Sequence, residues 1–303
     1  MMPKPPTTTP TRVLMPDLLE FRAITAEGTE SAYYRADFLP EGEFEGLVAW
    51  GMPKKLRLQV LSRPGLKWVL TLTAGIDGWP EMLPPGVTLY NAHELHDEAV
   101  AQHAAATLLA AGRGLIRFAQ AGSWERPGQL WTLKGRNVVV WGYGHIGRIL
   151  SDLLAPFGAQ ITGLRSSSTL QEIQAALSTA DDVVLLLPLT EATKQIVNAG
   201  VLASLKSGAW LYNLGRGELV DTAALVWALD SGHLGGAVLD VTDPEPLPQG
   251  HPLWGRGNVL ITPHIASTTQ DMQQRAADYA EGVLGQLARG EVPKNKVELG
   301  KGY

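Results

Sequence analysis

Arg216, Glu245 and His264 each sit just past the end of a different apolar run. The runs are Leu211-Tyr-Asn-Leu-Gly-Arg-Gly217, Gly236-Ala-Val-Leu-Asp-Val241 followed by Thr242-Asp-Pro-Glu-Pro246, and Val259-Leu-Ile-Thr-Pro-His264. Near-continuous apolar runs of this length read as parallel strands covered on both faces, and in an open parallel α/β sheet ligands bind along the edge formed by the strand C-termini. A guanidinium, a carboxylate and an imidazole delivered to one edge can hold an acid group, orient a ring and move a proton. The glycine turn Gly142-Tyr143-Gly144-His145-Ile146-Gly147 follows a further run, Asn137-Val-Val-Val-Trp141, and would bring a dinucleotide to the same edge. Together these features predict a nicotinamide-dependent oxidoreductase.

The positioning elements can be read from the pattern around these residues. Strand-like runs at 137–141, 160–164, 183–188, 209–213, 236–241 and 258–262 alternate with helix-like stretches, which predicts a doubly wound parallel sheet. His145 to Phe157 fits the helix after the glycine turn, and Thr222 to Ser231 fits another, started by Asp221 and stopped by Gly232. Upstream, Arg12-Val-Leu-Met15, Gly46-Leu-Val-Ala-Trp50, Trp68-Val-Leu-Thr-Leu72 and Val87-Thr-Leu-Tyr90 predict a second, smaller parallel sheet, with an Ala-rich linking helix from about Glu98 to Ala111. Apolar residues at Met272, Ala276, Tyr279, Val283 and Leu287 mark a C-terminal helix that either closes the nucleotide domain or crosses back to the first. The expected architecture is α/β in two domains: a doubly wound Rossmann sheet over 98–269, and a smaller flavodoxin-like parallel domain built from 1–97 with 270–303.

Composition narrows the class. With 303 residues, 45% hydrophobic and 18% charged, the chain can bury ample core in two domains. A net charge of -5 argues against nucleic-acid and anionic-membrane partners, which require a concentrated basic field. The absence of cysteine removes disulfides, thiolate nucleophiles and Cys-ligated metals; no metal site is expected, and a cytoplasmic location is compatible with this. The N-terminal Met-Met-Pro-Lys-Pro-Pro-Thr-Thr-Thr-Pro10 has no signal-peptide apolar stretch and reads as a disordered tail, and no run reaches the length of a membrane span.

In the glycine turn, Gly142 permits a tight turn, Gly144 close approach of a pyrophosphate to backbone N–H groups, and Gly147 close helix–strand packing. His145 reads as a solvent-facing loop residue. An NAD-specific site carries an acid about 20 residues further on, at the end of the second strand. This chain has Leu164-Arg165-Ser166-Ser167-Ser168 there, a guanidinium and three hydroxyls suited to a 2′-phosphate. NADP(H) is therefore the expected preferred cofactor, with NAD(H) possible.

Asn213-Leu-Gly-Arg-Gly-Glu-Leu-Val-Asp221, Leu239-Asp-Val-Thr-Asp-Pro-Glu-Pro246 and Thr262-Pro-His-Ile-Ala266, with the upstream glycine turn, are similar to the D-isomer-specific 2-hydroxyacid dehydrogenase family. The likeness covers nearly the whole chain from about residue 66 and is weaker before it. It implies reduction of a 2-oxo acid to the D-2-hydroxy acid, with His264 as general acid/base, Glu245 on the other ring nitrogen and Arg216 on the substrate carboxylate. It further implies that Gly75 and Ile76, in Ala74-Gly-Ile-Asp77, bind that carboxylate through backbone N–H groups. By the same likeness Asp240 contacts the nicotinamide carboxamide, and Leu189 and Thr190 lie beside the adenosine. The C-terminal helix, by this analogy, returns to the substrate domain.

Departures restrict the substrate. Phosphoglycerate dehydrogenases of the family tend to carry an Arg-Ser pair after the strand that here ends Val48-Ala-Trp50-Gly-Met52, and many have a C-terminal regulatory domain not found in this sequence. Formate dehydrogenases have Gln in place of Glu245, and phosphite dehydrogenases a lysine near Ala74-Gly75. A small 2-oxo acid such as glyoxylate or hydroxypyruvate is the expected substrate, with a bulkier branched or aromatic acid as the other option, and Trp50 and Met52 point to a phosphate-free, partly apolar pocket. The alternatives are a phosphoglycerate dehydrogenase-like oxidoreductase and a non-catalytic, dinucleotide-sensing corepressor-like module. A homodimer is expected from the likeness and from the arm-like segment Gly122-Ser-Trp-Glu-Arg-Pro-Gly-Gln-Leu-Trp131, whose tryptophans call for a partner surface, the alternative being packing within their own subunit.

Overall fold

The computed structural model describes residues 10–124, 126 and 130–299. The N-terminal tail thus lies outside the described residues up to residue 9, as do residues 125 and 127–129 of the arm-like segment. The chain divides into two compact units, one of residues 1–96 with 269–303 and one of residues 97–268.

The first unit holds the strands β1 (Thr11–Pro16), β2 (Thr29–Tyr34), β3 (Gly46–Ala49), β4 (Trp68–Thr71) and β5 (Thr88–Tyr90). They form a parallel sheet in the order β2-β1-β3-β4-β5, the flavodoxin-like arrangement. Its helices are α1 (Leu19–Arg22), α2 (Lys54–Leu61), the start of α3 (His93–Gly112) and, from the far end of the chain, α9 (Met272–Ala288). Strand β2, Thr-Glu-Ser-Ala-Tyr-Tyr, is absent from the four strands expected here. It is an edge strand paired only with β1 and mostly half-exposed, so it has no apolar run to announce it. α9 packs Met272, Ala276, Ala280 and Val283 against Val13, Met15 and Leu70 of this sheet, so the helical spacing in the sequence buries one face on the first unit.

The second unit contains β6 (Asn137–Trp141), β7 (Gln160–Leu164), β8 (Asp182–Leu185), β9 (Trp210–Asn213), β10 (Gly236–Leu239) and β11 (Val259–Ile261). Their order is β11-β10-β9-β8-β6-β7, all parallel. The remainder of α3, with α4 (Leu115–Phe118), α5 (His145–Leu154), α6 (Leu170–Thr179), α7 (Ala199–Ser204) and α8 (Thr222–Asp230), completes the unit. Alternate residues of one strand feed two cores. Val139, Val183, Leu211 and Leu239 pack with α6, α7 and α8, whereas Val138, Val184, Tyr212 and Val238 pack with α3 and α5. α6 starts with a reciprocal cap, the Thr169 hydroxyl accepting from Glu172 N–H while Glu172 accepts from Thr169 N–H. At the opposite end of the strands from the glycine turn, Asp182 is fully buried and takes hydrogen bonds from Arg136 Nε at 2.8 Å and Tyr212 OH at 3.0 Å.

The register of this sheet aligns the loops at the strand C-termini. Leu164, Trp141, Leu185, Asn213, Leu239 and Ile261 lie in one row of Cα partners across all six strands. Gly142, Arg165, Leu186, Asp240 and Thr262 therefore leave the sheet at one level. The strand order reverses at β6, which is flanked by β7 and β8, and the glycine turn leaves from that point.

Candidate active site

The glycine turn fits a dinucleotide pyrophosphate. Gly142 has φ of +100°, and a Cβ there would lie 2.5 Å from the Leu186 carbonyl carbon, so the turn passes directly over the end of β8. A Cβ on Gly144 would meet nothing within 4 Å, leaving open the space in front of the α5 N-terminus, where the first N–H groups have no intrahelical acceptor. A Cβ on Gly147 would sit 3.1 Å from Val140 Cγ1 and from Tyr143 Cδ2, which keeps α5 close to β6. Ile146 is half-buried in the core on that side. His145 is exposed as expected, but it is the first residue of α5 and not a loop residue, with Nδ1 3.8 Å from the buried carboxylate of Asp97 at the head of this unit's part of α3.

At the end of β7, Arg165, Ser166 and Ser167 are exposed. Arg165 N–H donates to Ser168 Oγ at 3.1 Å and Ser168 N–H to Arg165 O at 3.0 Å, closing a small turn. Leu189 packs against the core, and Thr190 shares a hydroxyl contact of 3.0 Å with Thr193, whose hydroxyl donates to Pro188 O at 2.7 Å.

At the same C-terminal edge, on the far side of the sheet at β10 and β11, the imidazole and carboxylate come together. His264 Nδ1 lies 2.8 Å from Glu245 Oε1. Since an ionised carboxylate only accepts, Nδ1 carries the hydrogen and Nε2 is left to give or take a proton. Both side chains remain partly exposed, at 49% and 42%. His264 adopts φ of +53°, a left-handed conformation that L residues hold only when surroundings impose it. The surroundings are the Asp240 carboxylate, which accepts from Thr262 Oγ1 at 2.6 Å, Ile265 N–H at 2.9 Å and Ala266 N–H at 3.0 Å, while His264 N–H donates to Asp240 O at 2.8 Å. Asp240 is 3% exposed, so its bonds are made away from solvent screening. This bracing does not follow from the apolar pattern; its trace in the sequence is a carboxylate one residue past an apolar strand and a hydroxyl one residue past the next, which meet only through the strand register.

Arg216 follows Asn213, whose side chain donates to Arg216 O at 2.8 Å and accepts from Gly215 N–H at 3.2 Å. The Arg216 guanidinium donates to Gly215 O at 2.7 Å. The next residue, Gly217, touches the neighbouring loop so closely that a Cβ would fall 2.0 Å from Thr242 O. The loops carrying Arg216 and Glu245 are thus in backbone contact.

In the first unit, Trp50 is fixed by Tyr34 of β2. The Tyr34 hydroxyl accepts from Trp50 N–H at 2.8 Å and donates to Trp50 O at 2.9 Å, and burial pushes that hydroxyl's pKa up. The loop after β4 is held through its carbonyls: His96 Nε2 contacts Leu72 O at 3.1 Å, Asn91 Nδ2 donates to Ala74 O at 3.0 Å and Thr73 Oγ1 to Gly75 O at 2.7 Å. The N–H groups of Gly75 and Ile76 make no hydrogen bond among the described residues. Among the described residues there is no group of three or more His, Asp or Glu that could hold a metal, and no helix long and apolar enough to cross a membrane.

A sequence model of the D-isomer specific 2-hydroxyacid dehydrogenase NAD binding domain matches residues 105–266. The chain is 32% identical over 251 residues to a glyoxylate reductase of Thermofilum pendens, covering 76% of this chain and 74% of that one. It resembles the crystal structure of a D-isomer specific 2-hydroxyacid dehydrogenase from Xanthobacter autotrophicus Py2 in complex with NADPH and MES, at 30% identity and a TM-score of 0.81 over 98% of this chain and 100% of that chain. It also resembles an NADPH-dependent glyoxylate/hydroxypyruvate reductase from Sinorhizobium meliloti in complex with NADP and sulfate, at 25% identity and a TM-score of 0.83 over 97% and 100% of the two chains. With the motifs, the sheet order and these likenesses in agreement, the chain belongs to the D-isomer-specific 2-hydroxyacid dehydrogenases, a family of nicotinamide-dependent oxidoreductases.

Proposed function

We propose that this protein reduces a small 2-oxo acid, glyoxylate or hydroxypyruvate, to the 2-hydroxy acid of D configuration, with NADPH as the preferred reductant. The observation that carries the reading is the His264–Glu245 pair at 2.8 Å, on the same sheet edge as the glycine turn. Bound reduced nicotinamide supplies the hydride for the carbonyl carbon. His264 Nε2 gives the carbonyl oxygen its proton, and Glu245 on Nδ1 stabilises the charged imidazolium before that transfer. Arg216 is assigned to the substrate carboxylate, which its planar fork of donors suits, and in the first unit the N–H groups of Gly75 and Ile76 are assigned to carboxylate binding. Trp50 contributes an apolar surface, and a pocket without the Arg-Ser pair of phosphoglycerate dehydrogenases favours an unphosphorylated acid. Asp240, Leu189 and Thr190 are assigned to the cofactor, as are the turn residues from Gly142 to Gly147.

The cofactor preference rests on Arg165 with Ser166, Ser167 and Ser168. A guanidinium there favours a 2′-phosphate through charge-assisted hydrogen bonds, and no acid stands in the usual place to repel it. Because Arg165 is exposed, screening limits the expected preference for NADPH to roughly ten- to a hundredfold in kcat/KM. Three of the similar proteins support this reading: a glyoxylate reductase, an NADPH complex and an NADPH-dependent glyoxylate/hydroxypyruvate reductase.

The test is a panel of 2-oxo acids assayed with NADPH and NADH. Turnover of glyoxylate or hydroxypyruvate, faster with NADPH, is expected. Dominant activity on 3-phosphohydroxypyruvate would replace the substrate assignment, and dinucleotide binding without turnover would favour a sensing module. Arg165→Asp is expected to reverse the order of the two cofactors, and equal efficiency with both in the unmodified protein would make Arg165 a surface residue only.

A homodimer belongs to the same reading. Trp131 packs within its own unit, tilted against Trp210 at 5.7 Å and beneath the Arg136 guanidinium at 4.7 Å, so it is not available to a partner. Trp124 of this segment is fully exposed and Leu115 of α4 is 59% exposed, which leaves apolar surface to be covered. Light scattering at micromolar concentration is expected to give a dimer mass; a monomer mass would reject it.

A further inference from the structure

The second residue of the glycine turn, Tyr143, carries a feature the reaction does not require. Its ring lies against Gly163 of β7, where a Cβ would come within 2.3 Å of Tyr143 Cγ, so only glycine leaves a floor for it. Its backbone N–H donates to Leu164 O at 2.9 Å. At the far end its hydroxyl lies 3.0 Å from Ser151 Oγ, and Ser151 Oγ donates to Gly147 O at 3.0 Å. The serine hydrogen is thus used on the helix carbonyl, and Tyr143 OH is the donor to serine. Floor, backbone and hydroxyl together hold the ring in one place.

The Arg165 guanidinium carbon lies 5.4 Å from the centre of this ring, within the range at which a cation is attracted to an aromatic face. The Arg165 backbone is also closed onto Ser168 through both its N–H and its carbonyl. An exposed arginine has several rotatable bonds, and a ligand that needs its guanidinium in one place bears the entropy of ordering it. Here a fixed aromatic face and a closed turn restrict the side chain before any ligand arrives. Gly163, Tyr143 and Ser151 come from the strand, turn and helix of one β-α-β unit, so the platform is built into the nucleotide fold.

We propose that Tyr143 is a specificity-determining positioning residue, its ring holding the Arg165 guanidinium for the 2′-phosphate of NADP(H). The proposal rests on the assignment of Arg165 to that phosphate and adds the means by which an exposed arginine becomes selective. A cation–ring contact at an exposed site predicts a discrimination of about two- to fivefold from the ring alone.

The experiment measures dissociation constants of NADP+ and NAD+ by isothermal titration calorimetry, with no turnover involved. The readout is their ratio, because a general loosening of the turn weakens both dinucleotides alike. Tyr143→Met, which fills the same space without a π face, is expected to reduce the preference for NADP+ about two- to fivefold, and Tyr143→Phe to retain it. In an Arg165→Leu background the Tyr143→Met effect on the ratio is expected to vanish. Melting curves establish that each variant is folded, and Tyr143→Leu replaces the methionine variant if that one is not. An unchanged ratio in Tyr143→Met, or an equal fall with and without Arg165, overturns the platform. If Arg165→Leu itself leaves the ratio of the parent unchanged, the phosphate assignment fails instead.

Discussion

Two loops, one in each unit, are held by opposite kinds of brace. After β11, the Asp240 carboxylate takes up a hydroxyl and two backbone N–H groups, and the loop puts forward a side chain, His264, in a left-handed backbone conformation. After β4, Asn91 and His96 occupy backbone carbonyls, and among the described residues the loop leaves unengaged a pair of backbone N–H groups at Gly75 and Ile76. An acceptor brace consumes donors and frees a side chain; a donor brace consumes acceptors and frees N–H groups. A fixed loop can therefore serve as a proton-transfer site or as an anion cradle according to the polarity of the residue that ties it down.

Removing the side chain that the first loop puts forward has the largest expected effect. His264→Gln should lower kcat at least about a hundredfold, since general acid catalysis contributes ~10²–10⁴, while calorimetric dinucleotide affinity persists. Turnover close to that of the parent would remove the proton-transfer role. Next in size is Asp240→Asn, which keeps the volume but replaces one accepting oxygen with a donor facing a backbone N–H. An unsatisfied buried group costs about 1–3 kcal/mol, so kcat should fall roughly five- to a hundredfold with a displaced pH–rate profile. If dinucleotide affinity falls and the profile stays in place, the cofactor assignment of Asp240 stands and its role as a brace is rejected.

Breaking the second brace should be milder and of a different kind. Asn91→Ala withdraws one hydrogen bond from Ala74 O, and about 0.5–1.5 kcal/mol corresponds to a two- to tenfold rise in KM for the oxo acid with kcat little altered. A fall in kcat at constant KM would contradict the division between the loops. The smallest effect concerns His96. Burial holds its pKa below the ordinary histidine value, the hydrogen bond to Leu72 O opposes this and Arg275 adds to it. The unfolded chain takes up a proton below about pH 6.5 that the folded chain resists, so this residue's contribution to stability declines as pH falls from there towards the depressed folded value. His96→Gln should flatten that decline in melting temperatures measured from pH 8 to pH 5; an unaltered slope would assign the acid sensitivity elsewhere.

The contrast between the loops also explains which features could be read from sequence. His264, Glu245 and Arg216 were legible because each stands a few residues beyond an apolar strand, and parallel strands end on one edge. The strand positions of the nucleotide sheet were legible for the same reason, with Asn137–Trp141 and Gln160–Leu164 found at the expected residues. The braces were not legible, because they depend on register across strands. Thr262 meets Asp240 only because Leu239 and Ile261 are Cα partners. Strand β2 escaped notice since a half-exposed edge strand needs no apolar run, and with it went the Tyr34 clamp on Trp50. In the sequence Tyr143 is only a spacer between glycines; its platform becomes visible once Gly163 is known to lie beneath it.

Gly217 has a practical consequence for anyone diversifying this enzyme. A methyl group at that position would fall 2.0 Å from Thr242 O, and the obstructing atoms are backbone, which cannot rotate aside. Libraries that randomise Gly217 will consist almost wholly of molecules in which the two loops are forced apart, whatever activity is being selected. Ser166 and Ser167, exposed at the end of β7, carry no such obstruction, and a search for altered cofactor use will sample far more folded candidates there.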